Sequence, residues 1–283
     1  MRPCRSSTHR RSRGSKIRAL PAARNRSTAI GPILAASLLL SCGQAIYDVS
    51  TERISLPIGD SRVDLVEHRS DVPGLTYVNL HDDENTAVEA ALAVIRNRGG
   101  IVYELQHGGD RNLTFRLNGS QYTIDPNRVF TDTGVSATLA SHGNSNADAR
   151  AAVRAFSDTL LYHIGFRELA FIITIHNNSE NGYSSLSYAD GGDLSGDARA
   201  VHLSSDEDPD NFYFVTSEQL FNTLQAHSVN VVLQDNIYVL DDGSLSVIAG
   251  REGIPYVNTE AQHGEVDVQR GMLERLHGLL ATE

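Results

Sequence analysis

The apolar positions of this chain follow helix and strand periods in turn. Residues 75–80 form a β-rich run, and residues 85–98 then place apolar side chains at helical spacing until Gly99 and Gly100 end the pattern. Residues 169–175 are almost continuously apolar, which is typical of a strand buried on both faces. This alternation predicts an α/β fold whose parallel or mixed sheet is covered by helices on both faces.

The rest of the pattern adds shorter elements. We expect strands at residues 62–66, 101–105, 229–233, 237–240 and 256–259, a hairpin at 112–124, and helices at 146–164, 217–226 and 266–280. Residues 177–210 are rich in Gly, Ser, Asn and Asp, which predicts mostly loop.

In α/β sheets of this kind, ligands bind beyond the carboxyl ends of the strands. His81, His176 and Glu260 all fall at the ends of predicted strands, so they are the first candidates for a site.

The N-terminal region predicts export. Residues 1–28 are basic and contain no acidic residue, and the apolar run at 30–40 is too short to span a bilayer but suits a signal peptide. The run ends in Leu39-Leu40-Ser41-Cys42, which resembles the bacterial lipoprotein box, in which the cysteine becomes lipidated. An ordinary signal peptide and a short retained anchor are the alternatives. With Cys4 in the removed segment, the mature domain has no thiol for a disulfide.

These features divide the chain into three parts. Residues 1–41 are expected to be a lipoprotein-type signal peptide, 42–74 an N-terminal tether with opening strands, and 75–283 a catalytic domain. We expect the protein to lie in a bacterial cell envelope, exported and lipid-anchored through Cys42 at the outer surface or in the periplasm. The formal net charge is −11 although residues 1–28 are basic, so the remainder is strongly acidic and argues against nucleic acid as a partner.

A His and a Glu stand three apart in His81-Asp82-Asp83-Glu84, just after a predicted strand. Imidazole and carboxylate together suit zinc, and a catalytic zinc site needs three protein ligands. His176, after the apolar run at 169–175, is the candidate third ligand. The alternatives are an acidic helix N-terminus for the first motif and a histidine bonded to a backbone carbonyl for His176.

Two further motifs contain polar residues that could bind a substrate or transfer a proton. Asn127 and Arg128 are adjacent, and an amide beside a guanidinium can hold a carboxylate, although a turn with one surface arginine would look the same. Glu260 follows a late predicted strand, where a carboxylate can serve as general base, although it can equally be a surface glutamate. Glu260-x-x-His263 can be read as another ligand pair, but His263 is better placed to contact the substrate than the metal.

In this order, the motifs resemble the zinc carboxypeptidase superfamily, which includes the metallocarboxypeptidases and the succinylglutamate desuccinylase/aspartoacylase branch. The resemblance covers roughly residues 75–280 and implies a three-layer αβα domain with a central mixed, mostly parallel sheet. It implies a zinc ion on His81, Glu84 and His176, a general base at Glu260, and a carboxylate clamp made by Asn127 and Arg128. It also implies a specificity pocket at 244–246, including Ser244 and Leu245.

The resemblance has departures. The spacing from His81 to His176 is nearer the desuccinylase-like branch, whereas the Gly-Ser-Leu and Thr-Glu segments are nearer the carboxypeptidases. An oxyanion-stabilising arginine has no clear motif, so Arg111 is the first candidate and Arg116 the second. The function expected is a zinc-dependent carboxypeptidase acting on peptides or peptidoglycan fragments. The alternatives are an N-acyl amino acid deacylase and a catalytically inactive surface-binding lipoprotein.

Overall fold

A computed structural model describes residues 46–180 and 182–280. The strands are β1 Val49–Ile58, β2 Ser61–Ser70, β3 Thr76–Asn79, β4 Ile101–Gln106, β5 Leu113–Leu117, β6 Ser120–Ile124, β7 Ile172–Asn178, β8 Ala198–His202, β9 Phe212–Val215, β10 Val231–Gln234 and β11 Tyr256–Gln262. The helices are α1 Asn85–Arg98, α2 Asp132–Ser141, α3 Ala147–His163, α4 Glu218–Gln225, α5 Leu245–Glu252 and α6 Val266–Leu280. Three 3₁₀ turns lie at Pro126–Arg128, Ser185–Tyr188 and Ser195–Asp197.

Nine strands form one mixed sheet in the order β1-β2-β4-β3-β7-β11-β9-β10-β8. Its centre is parallel, because β4, β3, β7 and β11 all run in the same direction. The outer pairings β1–β2, β2–β4, β9–β11 and β8–β10 are antiparallel. The expected mixed sheet with parallel strands at its core is therefore confirmed, and the opening strands at 49–70 extend that same sheet.

Helices cover both faces of the sheet. On one face, α1, α4 and α6 pack on apolar side chains that include Ile173 and Ile175 of β7. On the other, α2, α3 and α5 pack with Ile172 of the same strand and with the β5–β6 hairpin. Because β7 is buried on both sides, its nearly continuous apolar sequence follows from its central position. The architecture is the expected three-layer α/β arrangement.

The hairpin and the helix boundaries follow local sequence signals. Asn118 and Gly119 both have positive φ, 50° and 78°, as a two-residue hairpin turn between antiparallel strands requires. Asn146 accepts a hydrogen bond from the Ala149 amide at 2.8 Å and so caps α3 at its expected start. Gly99, with φ 81°, ends α1 where the glycine pair predicts.

One predicted strand is wrong. Residues 237–240 form a turn, because the Asp235 carboxylate accepts hydrogen bonds from the Ile237 and Tyr238 amides at 3.0 and 3.1 Å. The Leu240 amide donates to Asp197 at 2.8 Å. These side chains take the amides that a strand would use in its ladder, so the apolar alternation here does not produce a strand.

The loop predicted at 177–210 also contains structure, namely two 3₁₀ turns and the edge strand β8. The helices α2 and α5 and the strand β9 have no counterpart among the predicted elements. No helix in the described residues is both long enough and apolar enough to cross a membrane. The expected signal peptide, Cys4 and Cys42 lie outside the described residues, so those expectations remain predictions.

Candidate metal centre and active site

Three buried side chains converge at the carboxyl edge of the parallel strands. His81 Nδ1 lies 2.9 Å from Glu84 Oε1, and His176 Nδ1 lies 2.7 Å from Glu84 Oε2. The two Nδ1 atoms are 3.2 Å apart. His81 is 1% exposed, and Glu84 and His176 are each 3% exposed. The structure therefore brings together the three residues that the sequence analysis selected as metal ligands.

The backbone explains this convergence. His81 lies two residues beyond the end of β3, and Glu84 is the residue that caps the N-terminus of α1. β3 pairs in parallel with β7, which carries His176. A strand end, a helix start and a neighbouring strand thus place their side chains at one point. His176 is not the last residue of its strand as expected, because β7 continues for two further residues.

The donor set fits a metal cation. Two imidazole nitrogens and a carboxylate, all buried and mutually within 4.8 Å, can hold one metal ion. The two Nδ1 atoms, 3.2 Å apart beside a carboxylate, can share a proton in a hydrogen bond or can both face one metal ion. Zinc is commonly held in catalytic sites by two histidines and one glutamate, with a fourth position left open.

Asp125 orients one of these ligands. Its carboxylate lies 2.9 Å from His81 Nε2, on the far side of the ring from Glu84. A carboxylate on the second nitrogen fixes the orientation of a metal-binding imidazole and makes it a better ligand. Burial lowers the pKa of His81, but Glu84 and Asp125 outweigh it and raise the pKa to about 9. Asp125 is not among the site residues expected from the sequence, so its direct contact with His81 was missed.

The charges of the cluster stabilise one another. Burial raises the pKa of Glu84, but His176 and His81 hold it well below its ordinary value, so Glu84 is a carboxylate. The pKa of Asp125 is likewise lowered by its bond to His81, against the effect of burial. An anionic glutamate is the charge state in which this residue binds a cation, and His81 would release its proton on binding a metal.

Glu260 lies beside this cluster in the same cavity. It occupies the position on β11 that pairs with His176 on β7, and it is 5% exposed. Burial raises its pKa to about 7, and the nearby Glu84 contributes to the rise. Asn258 donates a hydrogen bond to Glu260 Oε1 at 2.8 Å. A carboxyl group with a pKa near neutrality is suited to both accepting and donating a proton.

Arg111 also lies in the site. Its guanidinium donates to Glu84 Oε1 at 2.9 Å and lies 3.9 Å from Asp125. The arginine is carried by a loop that Asp82 holds in place. Asp82 Oδ2 accepts hydrogen bonds from the amides of His107, Gly108 and Gly109 at 2.6, 2.7 and 2.7 Å. The second candidate, Arg116, is exposed on β5 and does not line the cavity.

Asn127 and Arg128 form the opposite wall of the cavity. The Arg128 guanidinium donates to the Asn127 carbonyl at 2.8 Å, and its Nε lies 3.3 Å from Asp242. The Asn127 side-chain oxygen accepts from the Leu245 amide at 3.1 Å. Both residues are therefore held by the segment at 242–245 with their polar groups at the cavity.

The cavity has a volume of about 560 Å³, and its lining includes the three candidate metal ligands, Glu260, Arg111, Asn127 and Arg128. Ser244 and Ser246 line it, and His263 lies at its exposed mouth. Leu245 does not line it, so its expected substrate contact is wrong. The reason is helix α5, which begins at Leu245 and turns that side chain into the core, where it is fully buried. Among the described residues, the acidic loop residue Asp197 and the strand residue Gln234 also line the cavity, and neither was selected from the sequence.

Neither a scan against protein-family models nor a search of curated proteins finds a match for this chain. Solved structures with a similar path of the chain are found at low sequence identity. Murein-tripeptide amidase MpaA from Escherichia coli O157 is 14% identical, with a TM-score of 0.44 over 84% of this chain and 94% of that one. A putative metallopeptidase from Shewanella denitrificans OS217 is 15% identical, with a TM-score of 0.38 over 80% and 82% of the two chains.

A succinylglutamate desuccinylase/aspartoacylase from Rhodobacter sphaeroides is 12% identical, with a TM-score of 0.43 over 81% of this chain and 66% of that one. At this level the likeness is one of fold, and it does not specify an activity or a substrate. The chemistry of this chain has to be inferred from its own side chains.

Proposed function

We propose that this chain is a zinc-dependent hydrolase that cleaves an amide bond next to a free carboxylate. The observation that supports this most strongly is the convergence of His81, Glu84 and His176 with Glu260 beside them in one cavity. The three candidate ligands form a metal site, and the neighbouring Glu260, whose pKa is raised, can act as its acid–base group. A histidine cluster with a structural role alone would not need the buried Glu260.

His81, Glu84 and His176 are the residues that would hold the metal. When bound, zinc supplies Lewis-acid chemistry, polarising a carbonyl and lowering the pKa of water. Glu260 accepts a proton from the attacking water and delivers it to the leaving nitrogen, as its pKa of about 7 permits. Arg111 donates hydrogen bonds toward the oxygen on which negative charge develops.

The opposite wall selects the substrate. Arg128 and Asn127 offer a guanidinium and an amide toward the cavity, and such a pair binds a carboxylate with directional hydrogen bonds. With this carboxylate held, the adjacent amide bond would lie in the cavity that Arg111 and Glu260 also line. We infer that the substrate is a peptide, or a peptidoglycan fragment with a peptide part, that ends in a free carboxyl group.

We further propose that the enzyme acts in the bacterial cell envelope, anchored by a lipid on Cys42. The support for this is the sequence of residues 30–42, in which an apolar run of signal-peptide length leads directly into Leu39-Leu40-Ser41-Cys42. An acidic chain without disulfide-forming cysteines in its mature part is compatible with that location.

The experiment that tests the proposed activity uses metal-stripped protein and two sets of substrates. One set contains N-blocked peptides with a free C-terminus, and the other contains simple N-acyl amino acids. We expect hydrolysis of the peptides after zinc is added, and its loss with a chelator. Preferential hydrolysis of the N-acyl amino acids would identify a deacylase instead. No hydrolysis of either set, with zinc bound, would contradict an enzymatic role on such substrates.

A further inference from the structure

The buried face of α6 contains one residue that its apolar pattern does not explain. The helix packs into the core through an apolar stripe at helical spacing, formed by Met272, Leu273, Leu276 and Leu280. Gln269 lies on the same buried face and is 0% exposed. Burying an amide costs free energy unless its polar groups are hydrogen-bonded, so the glutamine has to be explained by its partners.

Both ends of the Gln269 side chain are bonded to residues at the metal centre. Its nitrogen donates to the His176 carbonyl at 3.0 Å, and its oxygen accepts from the Asn177 side-chain nitrogen at 2.8 Å. In the part of the chain that the structure describes, Gln269 is not among the residues that line the cavity. It therefore acts on the site through β7, the strand that carries His176, and not through contact with a substrate.

Asn177 extends this connection to the second candidate ligand. Glu84 occupies the N-cap position of α1, where a side chain normally accepts a hydrogen bond from the amide three residues on. Its carboxylate is turned toward His81 and His176 and makes no capping bond within the described residues. Asn177 Oδ1 accepts from the Ala87 amide at 3.0 Å instead, so the cap of α1 is supplied from the strand of His176.

The same side chain reaches the strand of the acid–base group. Asn177 Nδ2 donates to the Ala261 carbonyl at 3.2 Å, and Ala261 directly follows Glu260 on β11. The partners fix the orientation of this amide, because the Ala87 amide needs an acceptor and the Ala261 carbonyl needs a donor. One asparagine thus connects the start of α1 to β7 and β11, and Gln269 connects it to α6.

We propose that Gln269 and Asn177 are positioning residues, whose linked amides hold Glu84, His176 and Glu260 in place relative to one another. The inference rests on the proposed function, because it takes Glu84 and His176 as zinc ligands. Ligands that are already in place lose less conformational freedom when a metal binds, so this network raises the affinity for zinc. It also keeps Glu260 at its distance from the metal, so it supports turnover.

The test measures zinc affinity and stability in the same variants. Gln269→Met keeps the length of the side chain and suits the apolar stripe, but it removes both hydrogen bonds. We expect it to lower the zinc affinity, measured with a competing chromophoric chelator, by roughly 10- to 100-fold, as the loss of a residue behind a metal ligand does.

Tyr213→Phe is the matched control. Tyr213 is buried, and its hydroxyl donates to the Met272 carbonyl of the same helix at 3.1 Å, a bond that involves no candidate ligand. Each variant should lower the thermal midpoint of the metal-free protein by about 2–4 °C for each hydrogen bond lost. Only Gln269→Met should bind zinc more weakly. Wild-type zinc affinity in Gln269→Met, with a lowered midpoint, would show a purely structural role and would overturn the proposal.

Asn177→Leu makes the same test if Gln269→Met does not fold, because Asn177 is only part-buried. It should likewise weaken zinc binding, and wild-type affinity would overturn the proposal. The double variant shows whether the two amides act as one unit. Its zinc affinity should be close to that of the weaker-binding single variant, whereas losses that multiply would show two independent effects and no network.

Kinetics at saturating zinc separate positioning from substrate binding. Gln269→Met should lower kcat by roughly 10- to 100-fold, as a misplacement of about 1 Å can, with KM for an N-blocked peptide unchanged. A raised KM with wild-type kcat would overturn the positioning role. Zinc titration needs no substrate, so the two proposals can fail separately. No hydrolysis by the zinc-loaded wild type would contradict the proposed function alone, whereas unchanged zinc affinity in Gln269→Met would overturn the network alone.

Discussion

Glu260 and His176 occupy directly paired positions on the adjacent parallel strands β11 and β7. Because paired residues on neighbouring strands point to the same side of the sheet, the carboxyl group of Glu260 lies next to a metal-ligand candidate without any loop to position it. The sheet itself therefore fixes the relation between the metal centre and the acid–base group.

If Glu260 is the general base, Glu260→Gln should keep the fold and the bound zinc but lose turnover. The amide has nearly the same shape and can still accept the hydrogen bond from Asn258, but it cannot take a proton. Loss of a general base lowers the rate by about 10²–10⁴-fold. The measurement is kcat on an N-blocked peptide, with zinc content determined on the same preparation. Glu265→Gln, at an exposed site nearby, is the control, and full activity in Glu260→Gln would refute the role.

The pH profile should depend on Asn258. Burial raises the pKa of Glu260 to about 7, and the hydrogen bond from Asn258 opposes that rise by favouring the carboxylate. A base works only when it is deprotonated, so kcat/KM should fall as the pH drops through this pKa. Asn258→Leu removes the donor and should move the acidic limb about one unit higher in pH. A zinc ion beside Glu260 would lower the pKa of its carboxyl group in both proteins, so the comparison is made at the same metal loading.

Thr174→Val is the control for this pH experiment, because Thr174 donates to Asn258 but not to Glu260. Its acidic limb should remain close to that of the wild type. A limb that stays in place in Asn258→Leu, or that moves to lower pH, would show that Glu260 is not the titrating group.

Arg128 should affect binding more than turnover. It would grip a carboxylate that is present in both the ground state and the transition state, so Arg128→Ala should raise KM by roughly 10- to 100-fold with a smaller change in kcat. Amidation of the substrate's carboxyl group should make the wild type behave like this variant. Arg116→Ala, at the exposed hairpin arginine, is the control. Equal hydrolysis of the amide and the free acid by the wild type would contradict the assignment.

The anchoring hypothesis depends on Cys42, which lies outside the described residues. In a bacterial host the wild-type chain should partition with membranes and incorporate a radiolabelled fatty acid, because Cys42 would carry the lipid. Cys42→Ser should abolish the labelling, whereas Cys4→Ser should leave it unchanged. Equal labelling of the wild type and Cys42→Ser would exclude this anchor.

The elements that the sequence predicts well are those whose signals are local or strongly periodic. The apolar run at 169–175, the hairpin at Asn118-Gly119 and the end of α1 at Gly99 all have such signals, and all were predicted. Histidines and a glutamate near strand ends could be selected as well, because the strand order of an α/β sheet brings carboxyl ends together.

What could not be predicted depends on contacts between distant residues. The apolar alternation at 237–240 fails as a strand because the acids at 235 and 197 take its amides. Leu245 points into the core because α5 begins at that residue. The contact between Asp125 and His81 spans 44 positions, and no spacing rule reveals it. Gln234 was missed because only the completed fold brings it to the cavity.

Zinc titration of metal-stripped protein tests the central claim most directly. A chromophoric chelator that competes for the metal gives both stoichiometry and affinity. We expect one zinc per wild-type chain, and an affinity lowered by more than roughly 100-fold in His176→Ala, which removes one of three ligands. His142→Ala, at an exposed histidine after α2, should bind zinc as the wild type does. Wild-type zinc affinity in His176→Ala, or no zinc binding by the wild type, would contradict the account.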